Sequence, residues 1–147
     1  MAIDERSEKN ISTLNPKLQP LARKLIETAT ERGIHVKIIC GNRTYAEQDE
    51  LYAQGRTKPG SIVTKAKGGQ SMHNVGCAFD VGIFSADGKK YIEESNAYDE
   101  VGKIGESLGL TWGGSWKFVD QPHFQLTEGR DLAKLRTAFE KTGDALA

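Results

Sequence analysis

Residues 71–84 read SMHNVGCAFDVGIF, a short polar loop that runs directly into an apolar segment. The apolar segment, Cys77 to Phe84, predicts a strand of the interior, and it carries one carboxylate, Asp80. An unpaired buried carboxylate is costly, so Asp80 has to find a cation or hydrogen-bond donors inside the fold. The stretch therefore predicts a central strand with a charged group at its middle, for which a metal ion and an ion pair are both open interpretations.

Upstream of this strand, the sequence predicts two helices and a second strand. A helix is expected over residues 16–32, with Asn15 as its N-cap and proline at the first helical position. Residues 34–40, IHVKIIC, are typical of a buried strand. The capping-box pattern of Thr44 to Glu47 predicts a short helix that runs from residue 45 to about residue 54.

Downstream, a long polar surface loop is predicted first, over residues 56–70 with a short strand at Ile62 and Val63. The elements expected after the central strand are a strand near 90–92, a helix between Asn96 and Gly109, strands at 110–112 and 123–126, and a helix over 132–139. This order predicts an α+β fold with a small, mainly antiparallel sheet flanked by helices.

Length and charge narrow the function classes. The 147 residues are typical of a single domain, which we expect to span 1–147 with a core at about 15–140 and no separate second domain. Twenty Lys and Arg residues balance 20 Asp and Glu residues, which argues against nucleic acid as a partner. The sequence shows no secretory signal and no run of ~18 apolar residues, so membrane insertion is not expected. Cys40 and Cys77 lack CxxC spacing and are predicted to be buried free thiols.

Two of the three histidines lie in dense polar clusters. His73 precedes Asp80, and His123 follows Asp120 by three residues. Two imidazoles and one carboxylate form a set that holds a catalytic zinc and leaves a position for water, and Asp120 is close enough in sequence to serve as general base. A hydrogen-bonded loop histidine and an ion-paired Asp80 remain the alternatives, while His35, alone in a strand, is interpreted as structural.

The spacing Ser-x-His-x-x-Gly-x-Ala-x-Asp at residues 71–80 is followed by Trp-Gly-Gly at 112–114 and by Asp-x-x-His at 120–123. This pattern resembles the zinc peptidases of peptidoglycan, which include D-Ala-D-Ala carboxypeptidases and L-alanyl-D-glutamate endopeptidases. The resemblance covers roughly residues 15–127 and implies a hedgehog/D-Ala-D-Ala peptidase-like fold. The motifs GNRT at 41–44 and LYAQGRTKPG at 51–60 are similar to the L-alanyl-D-glutamate branch, known from bacteriophage endolysins and bacterial wall-remodelling enzymes.

The resemblance implies a role for five residues of this sequence. His73, Asp80 and His123 match the ligands of Zn²⁺. Asp120 matches the acid that takes a proton from the zinc-bound water and passes it to the leaving amine. Arg43 matches an arginine that stabilises the oxyanion, a role that suits a cation placed beside a developing negative charge.

Four further positions follow from the same resemblance. Ser71 and Gln48 match positions near the substrate, so we expect them to bind it. The chain departs from the commoner pattern at Cys77, where a larger aliphatic residue is frequent, and at Asn42, where an aromatic residue is frequent. Neither departure replaces a ligand, so the packing or the substrate contacts are affected and the chemistry is not.

These expectations combine into a zinc hydrolase that cuts the L-Ala–D-Glu bond of the peptidoglycan stem peptide. We expect a monomeric phage endolysin that stays in the host cytoplasm and reaches the wall once the membrane is permeabilised. The alternatives are a D-Ala-D-Ala carboxypeptidase, a bacterial autolysin and a non-catalytic peptidoglycan-binding module. A cysteine hydrolase built on Cys77 is a weaker alternative, because an apolar strand offers the thiol no activating partner.

Overall fold

The computed structural model describes residues 3–147, and the strands within this range form one antiparallel sheet. They are β1 (His35–Cys40), β2 (Ala78–Phe84), β3 (Tyr91–Ile92), β4 (Thr111–Trp112) and β5 (His123–Gln125). The strand order is β1-β2-β5-β4, and β3 pairs with the C-terminal end of β2. The predicted α+β class with a small antiparallel sheet is therefore confirmed, and the Asp80 strand is central to it.

The helices of the described range pack on different parts of the structure: the first two contact β1, the fourth contacts β4 and the second helix, and the fifth contacts the segment that precedes β2. They are α1 (Glu5–Ile11), α2 (Gln19–Glu31), α3 (Tyr45–Ala53), α4 (Ala97–Ser107) and α5 (Leu132–Thr142), with 3₁₀ helices at Met72–Val75 and Gly113–Ser115. None of the helices in residues 3–147 has the length and hydropathy that a membrane crossing requires.

The interior is divided into a large and a small apolar cluster. The large cluster joins α1, α2 and α4 to the sheet, and it includes Phe79 and Phe124, whose rings stack at 5.6 Å. The small cluster joins Leu135 of α5 and Leu146 near the C-terminus to Val75 of the first 3₁₀ helix. The C-terminal segment therefore supports the loop that carries His73.

Two glycines on one side of α4 allow this helix to approach the sheet closely. A Cβ atom on Gly102 would lie 2.2 Å from the ring of Trp112, and one on Gly105 would lie 2.3 Å from the ring of Phe124. Only hydrogen fits at either position, so the aromatic rings of β4 and β5 rest directly on the helix backbone.

The structure differs from the sequence predictions at three places. The helix predicted from residue 16 begins at Gln19, because residues 16–18 form a turn before it; the Asn15 side chain accepts a hydrogen bond from Lys17 N in this turn and donates one to Asp144. The strand predicted at Ile62 and Val63 is absent, and both side chains are exposed. Helix α1 was not predicted, because its seven residues bury only Ser7 and Ile11 and show little apolar periodicity.

Candidate metal centre

Three neighbouring strands place chemically active side chains in one row. Asp80 of β2 is paired with Cys40 of β1 on one side and with His123 of β5 on the other. Directly paired residues of antiparallel strands project from the same face of a sheet. The register thus brings a thiol, a carboxylate and an imidazole together from positions that are far apart in the sequence.

The first 3₁₀ helix adds a second imidazole above this row. Ser71 caps the helix, because its hydroxyl oxygen accepts a hydrogen bond from His73 N at 3.2 Å. Gly76 ends the helix with φ of 74°, a backbone conformation that favours glycine. The turn holds the His73 ring against the sheet, where only 6% of the residue is exposed.

The two imidazoles converge on one carboxylate oxygen. His73 Nε2 and His123 Nδ1 each lie 3.3 Å from Asp80 Oδ1. Within residues 3–147, this oxygen is the one buried side-chain polar atom that lacks a hydrogen bond of acceptable geometry. The outer nitrogens are occupied, since His73 Nδ1 lies 3.1 Å from the Gly41 carbonyl and His123 Nε2 lies 2.8 Å from Gln125 Oε1. Such outer contacts fix a tautomer whose inner nitrogen is free to bind a metal, so the arrangement fits a divalent cation.

The electrostatics of these side chains also favour a cation. Burial by itself lowers the pKa of His73, but the close approach of Asp80 and Cys40 outweighs burial and raises the pKa to about 10. Burial by itself raises the pKa of Asp80, yet the close approach of the His123 and His73 imidazoles holds it well below its usual range. The carboxylate therefore stays negative and attracts positive charge, and metal binding competes with protonation of the imidazoles.

Asp120 lies at the edge of this group. Its Oδ2 is 4.0 Å from His123 Nδ1, and 52% of its side chain is exposed. Partial burial and the negative charge of Asp80 raise the pKa of Asp120 above its ordinary value. The loop is fixed by Gly113, whose carbonyl accepts a hydrogen bond from Asp120 N at 2.9 Å and whose missing Cβ would lie 2.3 Å from the Asp120 carbonyl oxygen.

Arg43 borders the same cleft and is held at both its backbone and its guanidinium. Its N–H donates to the His73 carbonyl, and its own carbonyl accepts from Asn74 Nδ2, each at 2.9 Å. Arg43 Nη1 donates to Gln48 Oε1 at 2.9 Å, and Nη2 donates to Cys40 Sγ at 3.4 Å. The arginine is therefore tied to the loop that carries His73.

Gln48 is not placed as the sequence analysis expected. The residue is fully buried, and it does not line the cleft. Its Oε1 accepts from Arg43 and from Asn74, and its Nε2 donates to the Ala66 carbonyl at 2.9 Å. The expectation that Gln48 contacts substrate is therefore replaced by a supporting position behind Arg43, whereas Ser71 does line the cleft.

The cleft has room for an extended peptide. A cavity of about 400 Å³ is bordered by the converging side chains together with Arg43, Leu51 and Val63. A second cavity of about 470 Å³ shares Arg43 and Leu51 with the first and extends along α3 to Lys58. The two cavities are neighbours, since Arg43 and Leu51 border both of them.

Two further side chains adjoin the site: Cys40, which was predicted to be buried, and Trp116, which the sequence assigns neither to the core nor to a cleft. Cys40 is only partly buried, and its sulfur belongs with His73 and Asp80 to a group whose donor atoms lie within 4.8 Å of one another. Trp116 packs its ring 5.1 Å from the ring of His123. The position of Cys40 beside Asp80 follows from the pairing of β1 with β2, and the register of that pairing could not be predicted from the sequence.

Comparison with known proteins identifies the relatives of this chain. The family model described as D-alanyl-D-alanine carboxypeptidase matches residues 64–126, which hold both histidines and both aspartates of the site. A Bacillus subtilis (strain 168) protein named peptidoglycan L-alanyl-D-glutamate endopeptidase CwlK is 44% identical over 124 residues, covering 78% of this chain and 74% of that protein. The chain belongs to this family of peptidoglycan peptidases. The resemblance inferred from its motifs is thereby confirmed.

More distant relatives of this peptidase are consistent with the same family. The L-alanyl-D-glutamate peptidase of Listeria phage A118 is 31% identical over 125 residues, covering 82% of this chain but 40% of that protein. The crystal structure of the Serratia marcescens L-Ala D-Glu endopeptidase ChiX superposes with a TM-score of 0.63 at 27% identity, covering 84% and 87% of the two chains. The D,D-pentapeptidase VanY, solved with Zn(II), shares the fold with a TM-score of 0.58 at 15% identity, covering 89% and 80%.

Proposed function

We propose that this chain is a zinc peptidase that hydrolyses the L-Ala–D-Glu bond of peptidoglycan stem peptides. The observation that carries the proposal is the convergence of His73 Nε2 and His123 Nδ1 on Asp80 Oδ1, with Asp120 and Arg43 bordering the same cleft. The choice of bond is supported by the relatives CwlK and ChiX, both of which are named for the L-Ala–D-Glu linkage.

Zn²⁺ would be held by His73, Asp80 and His123. When bound, zinc polarises a carbonyl and lowers the pKa of water toward ~7. Cys40 is not assigned as a ligand, because its sulfur lies 3.9 Å from His73 Nδ1, the nitrogen that faces the Gly41 carbonyl and not Asp80. The His-Asp-His set leaves room on the cleft side for substrate.

Asp120 would serve as general base and then as general acid. It takes a proton from the attacking water, and it returns a proton to the D-Glu nitrogen when the C–N bond breaks. A carboxyl whose pKa is raised by burial and by the charge of Asp80 suits both steps, because it holds a proton more strongly than an ordinary aspartate does. Arg43 donates hydrogen bonds to the carbonyl oxygen of L-Ala as negative charge develops there.

The test is the identity of the peptide fragments. Purified muropeptides incubated with the zinc-loaded enzyme should yield a fragment with a new amino-terminal D-Glu, identified by mass spectrometry. Release of terminal D-Ala with no internal cut would assign the carboxypeptidase alternative instead. Asp120→Ala is the matched control, because it should keep its normal zinc content and lose hydrolysis. Unchanged turnover in this variant would overturn the role of Asp120.

A biological role as an endolysin is our further proposal, with the Listeria phage A118 relative as its support. A role in bacterial wall remodelling has comparable support from the Bacillus relative. Expression in a Gram-negative host tests the endolysin role. An endolysin that works from the cytoplasm as a monomer leaves the cells intact until the inner membrane is permeabilised, and lysis then follows rapidly. Lysis without permeabilisation would contradict the proposed route.

A further inference from the structure

The guanidinium of Arg43 is fixed by two acceptors that lie outside the ligand set. Gln48 Oε1 accepts from Nη1 at 2.9 Å, and Cys40 Sγ accepts from Nη2 at 3.4 Å. Gln48 is itself immobilised, because it is fully buried and bonded to the Ala66 carbonyl. The two acceptors therefore define the direction of the guanidinium.

The position of Cys40 is set by the sheet. The β1–β2 pairing shifts register between Ile38 and Cys40, so that Cys40 pairs with Asp80. A bulge of this kind bends a strand and redirects its side chains. The sulfur consequently lies at the end of β1, between the guanidinium of Arg43 and the ring of His73.

We propose that Cys40 is a positioning residue whose sulfur, together with Gln48, holds the Arg43 guanidinium in the orientation that meets the substrate carbonyl oxygen. The inference rests on the proposed function of this cleft. Arginine carries five donors on a flexible stem. Two fixed acceptors restrict the rotation of this side chain before substrate binds, so less conformational entropy is lost in the transition state. The remaining donors stay available to the cleft.

The chain offers a matched control in Cys77, which is fully buried away from the cleft. Cys40→Ala should lower kcat about 10-fold with little change in KM and with zinc content unchanged. Cys40→Ser should recover most of the rate, because a hydroxyl oxygen also accepts from Nη2. Cys77→Ala should retain the wild-type rate, since its sulfur contacts only the Val75 carbonyl among hydrogen-bonding groups.

A double-mutant cycle distinguishes this role from an effect on the metal ligands. In an Arg43→Ala background, Cys40→Ala should cause no further loss, because the group through which Cys40 acts is gone. A further loss of the same size, or a fall in zinc content, would place the effect on His73 and overturn the proposal. Full activity of Cys40→Ala overturns the role of Cys40 alone, whereas a wild-type enzyme that does not cut the stem peptide overturns the proposed function as well.

Chemical modification supplies a second measurement that does not depend on a variant at position 40. In Cys77→Ala protein the remaining thiol is Cys40, and iodoacetamide alkylates it: a bond forms between sulfur and the methylene carbon, iodide leaves, and the thiol proton passes to water. The added carboxamidomethyl group occupies the space between the sulfur and the Arg43 guanidinium and displaces the guanidinium, so hydrolysis should be lost while zinc is retained. Complete alkylation with activity preserved, or alkylation that releases zinc, would contradict the proposal.

Discussion

Asp80 is the residue on which the site depends most directly. Its Oδ1 faces both imidazoles and has no hydrogen bond, so removal of its charge leaves the inner nitrogens of two buried histidines without an anionic neighbour at 3.3 Å. We expect Asp80→Asn to weaken zinc affinity by more than about 100-fold, measured by competition with a chromogenic chelator. An equally conservative change at an exposed carboxylate, Glu50→Gln, serves as the control, and zinc binding that survives in Asp80→Asn would exclude Asp80 as a ligand.

Asp120 is predicted to separate chemistry from metal binding. Its carboxylate lies beyond the ligand set, 4.0 Å from His123 Nδ1. Asp120→Asn should therefore keep stoichiometric zinc and lose about 10²- to 10⁴-fold in kcat, since the amide cannot accept a proton. Metal analysis and steady-state kinetics on the same preparation are the measurements, and a proportional loss of zinc and rate would show a structural role instead.

At the scale of residues, the sequence predicted those whose chemistry is visible in local spacing. His73, Asp80 and His123 lie in short motifs, and the structure brings them together. Gln48 and Cys40 were assigned differently, because their environments depend on how α3 and β1 pack on other segments. Cys77, the nucleophile of the alternative cysteine hydrolase, is fully buried, and burial together with the charge of Asp144 raises the pKa of its thiol to about 11.

At the scale of elements, α4 is positioned by two glycines. Gly102→Ala should destabilise the protein by about 1–3 kcal/mol, because the new methyl group overlaps the ring of Trp112. Alanine is favoured over glycine in a helix by about 1 kcal/mol, which acts in the opposite direction. The sign of the change in the free energy of unfolding therefore shows which effect is larger. Urea unfolding of Gly102→Ala beside the exposed Lys103→Ala is the comparison, and a stabilised Gly102→Ala would show that Trp112 can move aside.

The C-terminal segment is attached through Asp144. Its Oδ1 accepts from Asn15 Nδ2 at 2.7 Å and from Leu146 N at 2.9 Å, and the bond from Asn15 is the main cause that lowers the pKa of the carboxyl. Because the folded pKa lies below the unfolded value, this stabilisation is present above about pH 4 and is lost as pH falls through the folded pKa.

Asp144→Ala should accordingly lower Tm at pH 7 by about 2–4 °C, and the difference from wild type should shrink in strong acid. Calorimetry across pH measures both effects. Glu94→Ala, a change at an exposed carboxylate, is the control, and a pH-independent difference would show that Asp144 does not act through its charge.

Elements with strong local signals were predicted well, and those that depend on tertiary contacts were not. The capping box of Thr44 and Glu47 places the start of α3 at Tyr45, as expected. Helix α1 has no comparable apolar pattern, yet Ser7 Oγ accepts from Ile38 N and Asn10 Nδ2 donates to the Ile38 carbonyl. Its polar side chains cover the outer edge of β1, a role that becomes visible only when the partner strand is known.

At the scale of the whole molecule, balanced charge means that no overall field attracts the anionic wall. Under the proposed function, zinc would link the separate segments of the site, so the folded state should gain stability with zinc concentration. A chelator should lower Tm and abolish hydrolysis, and added zinc should restore both. His73→Ala protein should show neither response, and a zinc-independent Tm in the wild type would contradict a metal held by the native fold.

The row formed by Cys40, Asp80 and His123 also constrains how the chain reaches its native state. Side chains alternate between the faces of a strand, so a slip of β2 by one residue would turn Asp80 to the opposite face and disperse the row. The proposed ligands come from segments that are distant along the chain, and they meet only when β2 has aligned with β5 and the first 3₁₀ helix lies against the sheet. A sheet that is mispaired or only partly formed therefore lacks the assembled site. Only molecules that have completed folding should hydrolyse the substrate.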